Sequence, residues 1–250
     1  MGDSRFDVLI TVEELAARIG GDGDLVILDV SDDLETAPLE RPVIPGAIAV
    51  SLASDISGPG TKQGGRRPLP DPGVLQENLR RWGIGPESLV VVYDNASGAQ
   101  AGRAWWTLRW AGHPNARLLD GGFAAWQAAG HGTAQQPIHP QGRGSFTVRP
   151  GGMPTIEADE AADIAKQGAL LDARGKAAYE GEPDKPATGH IPGAISAPNP
   201  VGVYCGSGNA AAHELAAMYA AGIEAPLYVG SWSAWTGDPS RPVAQGSERG

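Results

Sequence analysis

The single cysteine of the chain, Cys205, lies between a short apolar run and an alanine-rich stretch. The run Val201–Tyr204 predicts a strand that leads into the cysteine, and a helix is expected to begin near Ala210. A short loop with two glycines connects them. The main-chain N–H groups of such a loop and the positive end of the following helix favour a thiolate over a thiol. We therefore predict that Cys205 is a nucleophile.

The loop after Cys205 offers groups that could hold an anion. Its expected anion-binding residues are Gly206, Gly208, Asn209 and Ala210, whose N–H groups can surround an anionic sulfur. The Ser207 hydroxyl can donate a hydrogen bond to a donor or a leaving group, but it could equally start a turn or cap the helix. Asn209 could likewise be a left-handed turn residue or an N-cap without a chemical role.

Composition limits the classes of function. The 250 residues allow one large or two ordinary domains. A net charge of −10 argues against a nucleic-acid or anionic-membrane surface. The sequence shows no signal-peptide pattern and no apolar window near 18 residues, and its one thiol suits a reducing compartment, so we expect a cytoplasmic protein. The histidines show no metal-ligand spacing with the cysteine, and we expect no metal and no cofactor.

An internal repeat organises the whole sequence. The matching blocks are Thr11–Leu15 with Thr155–Glu157, Leu28–Val30 with Leu171–Ala173, Ile44–Ala47 with Ile191–Ala194, Val92–Asp94 with Val203–Cys205, and Asp120–Trp126 with Val229–Trp235. Because the order is the same in both halves, we predict two homologous domains, residues 1–130 and 155–250, joined by a linker at 131–154. Asp94 stands where Cys205 stands in the second half, so the first domain is expected to be inactive there.

Short β runs alternate with helical patterns in the first half. The predicted strands are Leu25–Val30, Leu89–Tyr93 and Ala116–Leu119, the predicted helices are Leu75–Trp82, Ala101–Ala111 and Phe123–Ala129, and a strand is also expected at Ser145–Val148 in the linker. This alternation is typical of a parallel sheet covered by helices on both faces. Sites in such sheets form at the carboxyl ends of the strands, where Cys205 is expected to lie.

The second domain is shorter than the first. The offset between the two copies falls from 147 at the Ile-Pro-Gly-Ala blocks to 111 at Asp94 and Cys205, so about 36 residues are missing between Asn199 and Pro200. Either this is a true deletion or a segment is absent from the printed chain. We favour the second reading, because a parallel crossover needs about a dozen residues and Ala197–Pro200 cannot supply them.

These motifs resemble the two-domain rhodanese family. The resemblance rests on the tandem layout and on Gly189–Ala194, Cys205–Gly208 and Gly230–Trp235, and it covers nearly the whole chain. It implies an α/β fold of two tandem rhodanese-like domains, each a mostly parallel sheet flanked by helices, with the catalytic cysteine in the second. The Cys-Gly-Ser-Gly sequence is closer to the 3-mercaptopyruvate type than to the thiosulfate type.

The resemblance also implies the reaction. A Cys205 thiolate would take sulfane sulfur from thiosulfate or 3-mercaptopyruvate, and the resulting persulfide would pass it to cyanide or a thiol. The expected partners are therefore a small anionic sulfur donor and a thiol acceptor such as a thioredoxin-like protein, with no nucleic acid and no membrane.

The positions that bind substrate in this family differ here. The substrate-binding arginine of the family corresponds to Ala178, and a neighbouring one corresponds to Glu180. Positive charge could come instead from Lys185, or from Arg66 and Arg67 if their loop reaches across the cleft between the domains. Trp232 could line the pocket, although packing of the domain is its simpler role.

Two other functions compete with sulfur transfer. A catalytically degenerate rhodanese module could bind a partner or sense a thiol state, as the changes at Ala178 and Glu180 would allow. A cysteine phosphatase would need an arginine six residues after the cysteine, and position 211 is alanine. We rank the phosphatase lowest.

Overall fold

The structure is a computed structural model that describes residues 5–21, 23–32, 41–139, 143–182, 188–196 and 202–249. The first half contains α1 (Arg5–Val8), β1 (Leu9–Ile10), α2 (Val12–Ala16), β2 (Leu25–Ser31), β3 (Ala47–Ser51), a π-helical turn (Leu52–Ile56), α3 (Pro72–Arg81), β4 (Leu89–Asp94), α4 (Ala99–Trp110), β5 (Ala116–Leu119) and α5 (Gly122–Ala128). The second half contains β6 (Thr155–Ile156), α6 (Ala158–Lys166), β7 (Leu170–Asp172), α7 (Lys176–Glu180), β8 (Gly202–Tyr204), α8 (Asn209–Ala220), β9 (Leu227–Tyr228) and α9 (Ser231–Trp235).

Each half is built on its own parallel sheet. The strand order is β1-β5-β4-β2-β3 in the first half and β6-β9-β8-β7 in the second, and every pair of neighbouring strands is parallel. A parallel bridge between Leu171 and Ile195 extends the second sheet beyond β7. The predicted fold class of two tandem α/β units, with parallel sheets flanked by helices, is confirmed.

Equivalent contacts recur in the two halves. The Tyr93 hydroxyl accepts a hydrogen bond from the Ile44 N–H at 3.2 Å, and the Tyr204 hydroxyl accepts one from the Ile191 N–H at 3.2 Å. Tyr93 is the penultimate residue of β4 and Tyr204 is the last residue of β8, and each isoleucine precedes a Pro-Gly-Ala turn. The repeated sequence blocks therefore make the same tertiary contact twice.

The two halves pack through α4 and α8. One hydrophobic cluster contains residues of both halves, among them Trp105 and Leu108 from α4 and Leu215 and Met218 from α8. The helices cross closely at Gly102, where an added Cβ would lie 2.7 Å from the Cα of His213. A side chain at position 102 would separate the helices, so glycine is needed for this approach.

Local sequence signals predicted most of the first half. The three predicted strands match β2, β4 and β5 to within one residue at either end, and Thr11 with Glu14 forms the expected capping box at α2. The strand expected at Ser145–Val148 is wrong. That segment lies along the first half instead, where the Phe146 N–H donates to the Ile84 carbonyl, and no ladder forms.

Asn199 and Pro200 are consecutive residues of the 250-residue sequence, so the additional segment expected between them is not part of this chain. Residues 197–201 lie outside the described residues, and the position of the shortening in the second half stays a prediction. None of the helices in the described ranges has the length and apolar character needed to span a membrane.

Candidate active site

Cys205 follows β8 at the carboxyl end of the second sheet, and its residue is 2% exposed. The loop that follows is short, because α8 already begins at Asn209 with Gly208 as its N-cap. Gly208 has φ +89°, a conformation that strongly favours glycine. The predicted strand–loop–helix arrangement around the thiol is therefore present, and the helix starts one residue earlier than expected.

The sulfur and the main chain of Cys205 are held by separate contacts. The Gly208 N–H donates to Sγ at 3.1 Å, and the Cys205 N–H donates to the Ser231 hydroxyl at 3.2 Å. Ser231 in turn donates to the Tyr228 carbonyl at 2.9 Å. Ser231 adopts φ +51°, which is rare for a residue other than glycine, and such strain often accompanies functional sites. The sequence offered no local signal for this role.

The other predicted loop residues lie around the same turn. The Gly206 carbonyl accepts a hydrogen bond from the Ser233 N–H at 3.0 Å. Ser207 and Ala210 are half-buried beside the thiol loop. The Asn209 Oδ1 is buried and has no hydrogen-bond partner among the described residues. The suggestion that Ser207 or Asn209 caps the helix is wrong, because Gly208 occupies that position without a side-chain cap.

Trp232 holds the loop through its main chain and packs through its ring. Its N–H donates to the Cys205 carbonyl at 2.9 Å. The guanidinium of Arg174 lies 4.5 Å from the centre of its ring. Arg174 also contacts the Asp172 carboxylate at 2.6 Å and the Gly189 carbonyl at 2.6 Å. These contacts fix Arg174 as part of the framework beneath the site.

The framework continues into the strand that carries the cysteine. The Tyr204 hydroxyl donates to Asp172 at 2.6 Å. Burial raises the pKa of Tyr204 well above its ordinary value, and the Asp172 carboxylate raises it further. Tyr204 therefore stays protonated and can serve as a permanent donor.

The loop containing Arg66 and Arg67 reaches the second half. The Arg66 N–H donates to the Ser233 hydroxyl at 3.0 Å, and a Cβ on Gly206 would lie 3.3 Å from Arg66 Nη2. The Arg66 guanidinium thus lies against the first residue of the thiol loop. Arg67 behaves differently, because its guanidinium pairs with Asp32 at 2.9 Å. Of the two arginines, Arg66 is the one the fold brings to the thiol loop.

Arg103 is a cation that the sequence analysis missed. It projects from α4 of the first half, is fully buried, and lies so close to the thiol loop that a Cβ on Gly208 would be 2.6 Å from its Nη1. The repeat held a signal for it, since Arg103 stands five residues after Gly98 as His213 stands five residues after Gly208. That signal becomes meaningful only once α4 and α8 are known to cross.

The other positions considered for substrate binding are Lys185, Ala178 and Glu180. Lys185 is outside the described residues, so its predicted role stays a prediction. Ala178 and Glu180 lie on α7, where Glu180 Oε1 is 3.6 Å from the Lys176 ammonium. Because that neighbouring cation balances the charge of Glu180, the glutamate repels an anion less than its sequence position alone suggests.

The first half carries the same loop with a carboxylate in place of the thiol. Asp94 accepts hydrogen bonds from four main-chain N–H groups, those of Ala96, Gly98, Gln100 and Ala101, at 2.9 to 3.0 Å. The loop of this fold can therefore enclose a negative charge with backbone donors. In the first half its own side chain fills that position.

Comparison with known proteins agrees with these features. The family description "Rhodanese-like domain" matches residues 11–129. A Pseudomonas aeruginosa protein whose name assigns it to the 3-mercaptopyruvate sulfurtransferases is 40% identical, covering 95% of this chain and 98% of the relative. A Mycobacterium tuberculosis protein, SseB, whose name assigns it to the thiosulfate sulfurtransferases, is 38% identical and covers 98% of this chain and 99% of the relative.

The fold has a solved counterpart in SseA from Escherichia coli, a 3-mercaptopyruvate sulfotransferase described with the rhodanese fold. The two structures superpose with a TM-score of 0.72 at 25% identity, over 90% of this chain and 98% of SseA. The alignment with the Pseudomonas relative spans 283 residues although this chain has 250, so the relative carries residues that this chain lacks. With 40% identity over nearly the full length of both proteins, the chain belongs to the rhodanese family of sulfurtransferases.

Proposed function

We propose that this chain transfers sulfane sulfur from a small anionic donor, thiosulfate or 3-mercaptopyruvate, to a thiol or cyanide through a persulfide on Cys205. The observation that carries the proposal is the placement of Sγ 3.1 Å from the Gly208 N–H, immediately before α8. A sulfur anion at this point meets a backbone donor and the positive end of a twelve-residue helix.

The reaction has two displacements. The Cys205 thiolate attacks the outer sulfur of the donor, and a new S–S bond forms while the S–S bond of thiosulfate or the C–S bond of 3-mercaptopyruvate breaks. Sulfite or pyruvate leaves with the electron pair, and pyruvate gains a proton from water. An acceptor thiolate or cyanide then attacks the outer sulfur of the persulfide and releases the Cys205 thiolate.

The loop of the first half supports this role for the loop of the second. Four N–H groups enclose the Asp94 carboxylate, and the corresponding N–H groups after Cys205 can enclose the terminal sulfur of a persulfide. In the proposed reaction, Arg66, whose Nη2 would lie 3.3 Å from a Cβ on Gly206, attracts the anionic donor, and the Ser207 hydroxyl donates to the leaving group. A thioredoxin-like protein is the proposed acceptor, in the cytoplasm, where thiols stay reduced.

Intact-mass spectrometry tests the proposal directly. The protein is incubated with thiosulfate or with 3-mercaptopyruvate, desalted and weighed. The wild type should gain one sulfur atom, about 32 Da, and lose it again when cyanide is added, whereas Cys205→Ser should gain nothing. If neither donor changes the mass under conditions that load a reference sulfurtransferase, the competing function of a degenerate partner-binding module is favoured.

A further inference from the structure

Arg103 is a buried cation with few hydrogen-bond partners. Its residue is fully buried, and its Nη2 donates to the Arg67 carbonyl at 3.0 Å. Its Nε and Nη1 have no hydrogen-bond partner among the described residues. Burying a charge whose donors are incompletely paired is costly, so such a group is expected to be matched by negative charge nearby.

The thiol loop lies next to the unpaired side of this guanidinium. Gly208 lies next to both groups, since its N–H donates to Cys205 Sγ and its α-carbon faces Arg103 Nη1 without room for a Cβ between them. Any side chain at position 208 would displace the guanidinium, because an added Cβ would lie 2.6 Å from Nη1. The guanidinium therefore lies directly against the thiol loop.

Among the described residues that interact electrostatically with Arg103, Cys205 is the one that can carry a negative charge. Among the described residues, the titratable groups that interact with the guanidinium are Cys205 and Arg67, and the ring of Trp106 lies 5.6 Å away. Burial lowers the pKa of Arg103 to about 10, a Cys205 thiolate raises it, and Arg67 lowers it further. Arg103 thus keeps its charge at neutral pH, and the thiolate is the anion that favours this charge.

The pseudo-symmetry of the chain places a different group at the other loop. His213 occupies on α8 the position that Arg103 occupies on α4, and a Cβ on Gly98 would lie 2.9 Å from its Nε2. Each helix therefore presents its fifth residue after the N-cap to the loop of the opposite half. The permanent cation faces the loop with the nucleophile, and the imidazole faces the loop that already contains a carboxylate.

We propose that Arg103 is a positioning residue of the first half whose fixed positive charge stabilises the anionic forms of Cys205, the attacking thiolate and the thiolate released from the persulfide. This proposal deepens the proposed function and rests on it.

The test measures the nucleophilicity of Cys205 separately from sulfur transfer. The rate of alkylation by iodoacetamide is followed between pH 5 and pH 10 for the wild type and for Arg103→Gln, Arg103→Met and Arg103→Lys. Arg109→Gln is the matched control, because Arg109 lies on the same helix and stacks on Tyr219, 5.7 Å from its ring centre. Thermal unfolding of each variant reports folding.

Loss of the charge should slow alkylation of the glutamine and methionine variants at pH 7 by about tenfold, because the anionic sulfur loses its neighbouring cation. Arg103→Lys and Arg109→Gln should keep the wild-type profile. Thermal stability of Arg103→Met should match or exceed that of the wild type, because an incompletely paired buried charge has been removed.

Two results would overturn the proposal. One is a wild-type alkylation profile in folded Arg103→Gln or Arg103→Met, and the other is an equal defect in Arg103→Lys, which retains the charge. Failure of the wild type to take sulfur from either donor while its alkylation profile still depends on Arg103 would refute only the proposed function. The two ideas can thus fail separately.

Discussion

Replacing Asp94 by alanine tests how the first half holds its loop. The Asp94 residue is 3% exposed, and its carboxylate accepts hydrogen bonds from four backbone N–H groups at 2.9 to 3.0 Å. Alanine would leave all four donors without their partner at the start of α4. The loop would then have backbone dipoles converging on a space that contains no negative charge.

The size of the loss follows from the number of donors. A net contribution of about 1 kcal/mol for each hydrogen bond gives a loss of about 4 kcal/mol in the free energy of unfolding. Asp71→Ala is the matched control, since Asp71 caps α3 by accepting from only two N–H groups on the exposed surface. Loss of that cap should cost about 1 kcal/mol.

Urea denaturation at pH 7, with and without sulfate at constant ionic strength, measures both effects. Sulfate should bind the vacated donors of Asp94→Ala and stabilise that variant, by about 1.4 kcal/mol when its concentration is ten times its Kd. The wild type, whose loop is already filled, should not gain from this site. The reasoning is refuted if Asp94→Ala loses no more stability than Asp71→Ala, or if sulfate stabilises the variant and the wild type equally.

Three further predictions concern the strained serine, a buried carboxylate and donor binding. Ser231→Ala should lower the free energy of unfolding by about 2 kcal/mol in urea titrations, because the buried Cys205 N–H loses its acceptor, and Ser231→Gly should lose less, since glycine relieves the φ of +51°; equal losses would contradict the strain. Burial raises the pKa of Asp29 to about 6 even though Arg41 lies 2.6 Å away, so folding favours the protonated acid and stability present near pH 4 is lost as the pH rises through about 6. The expected decrease in the free energy of unfolding between pH 4 and pH 6 is about 3 kcal/mol, and Asp29→Asn should remove it. If the free energy of unfolding depends on pH in the same way in the variant and the wild type, this prediction is wrong. Arg66→Ala should raise KM for thiosulfate about tenfold with little change in thermal stability, because its exposed guanidinium attracts the donor, and an unchanged KM in steady-state assays would exclude that role.

Three strands and the capping box of the first half could be predicted from local patterns in the sequence. Strands such as β4 are continuous apolar runs bounded by polar residues, and the Thr11–Glu14 capping box is complete within four residues. The position of Cys205 could be predicted for the same reason, because a strand, a glycine loop and a helix follow each other directly in the chain. Structure that depends on residues close together in the chain can therefore be predicted from the sequence.

The rest of the site depends on residues that are distant in sequence. Ser231 reaches the Cys205 N–H only because β9 lies beside β8, and its strained conformation leaves no sign in its residue type. Arg103 was missed because α4 has the residue pattern of a buried core helix. Its contact with the thiol loop exists only because α4 and α8 cross. The helix start was misjudged because Gly208 caps by backbone conformation, and the surrounding serine and asparagine resemble better caps.

The mutual contacts of α4 and α8 have a consequence for the history of the chain. Two copies of a repeat can diverge independently where they make no contact, yet here the copy with Asp94 brings Arg66 and Arg103 against the thiol loop of the other copy. Deleting the first half would strip the thiol loop of both guanidinium groups. Selection on the thiol site of the second half would therefore extend to Arg66 and Arg103 of the first half.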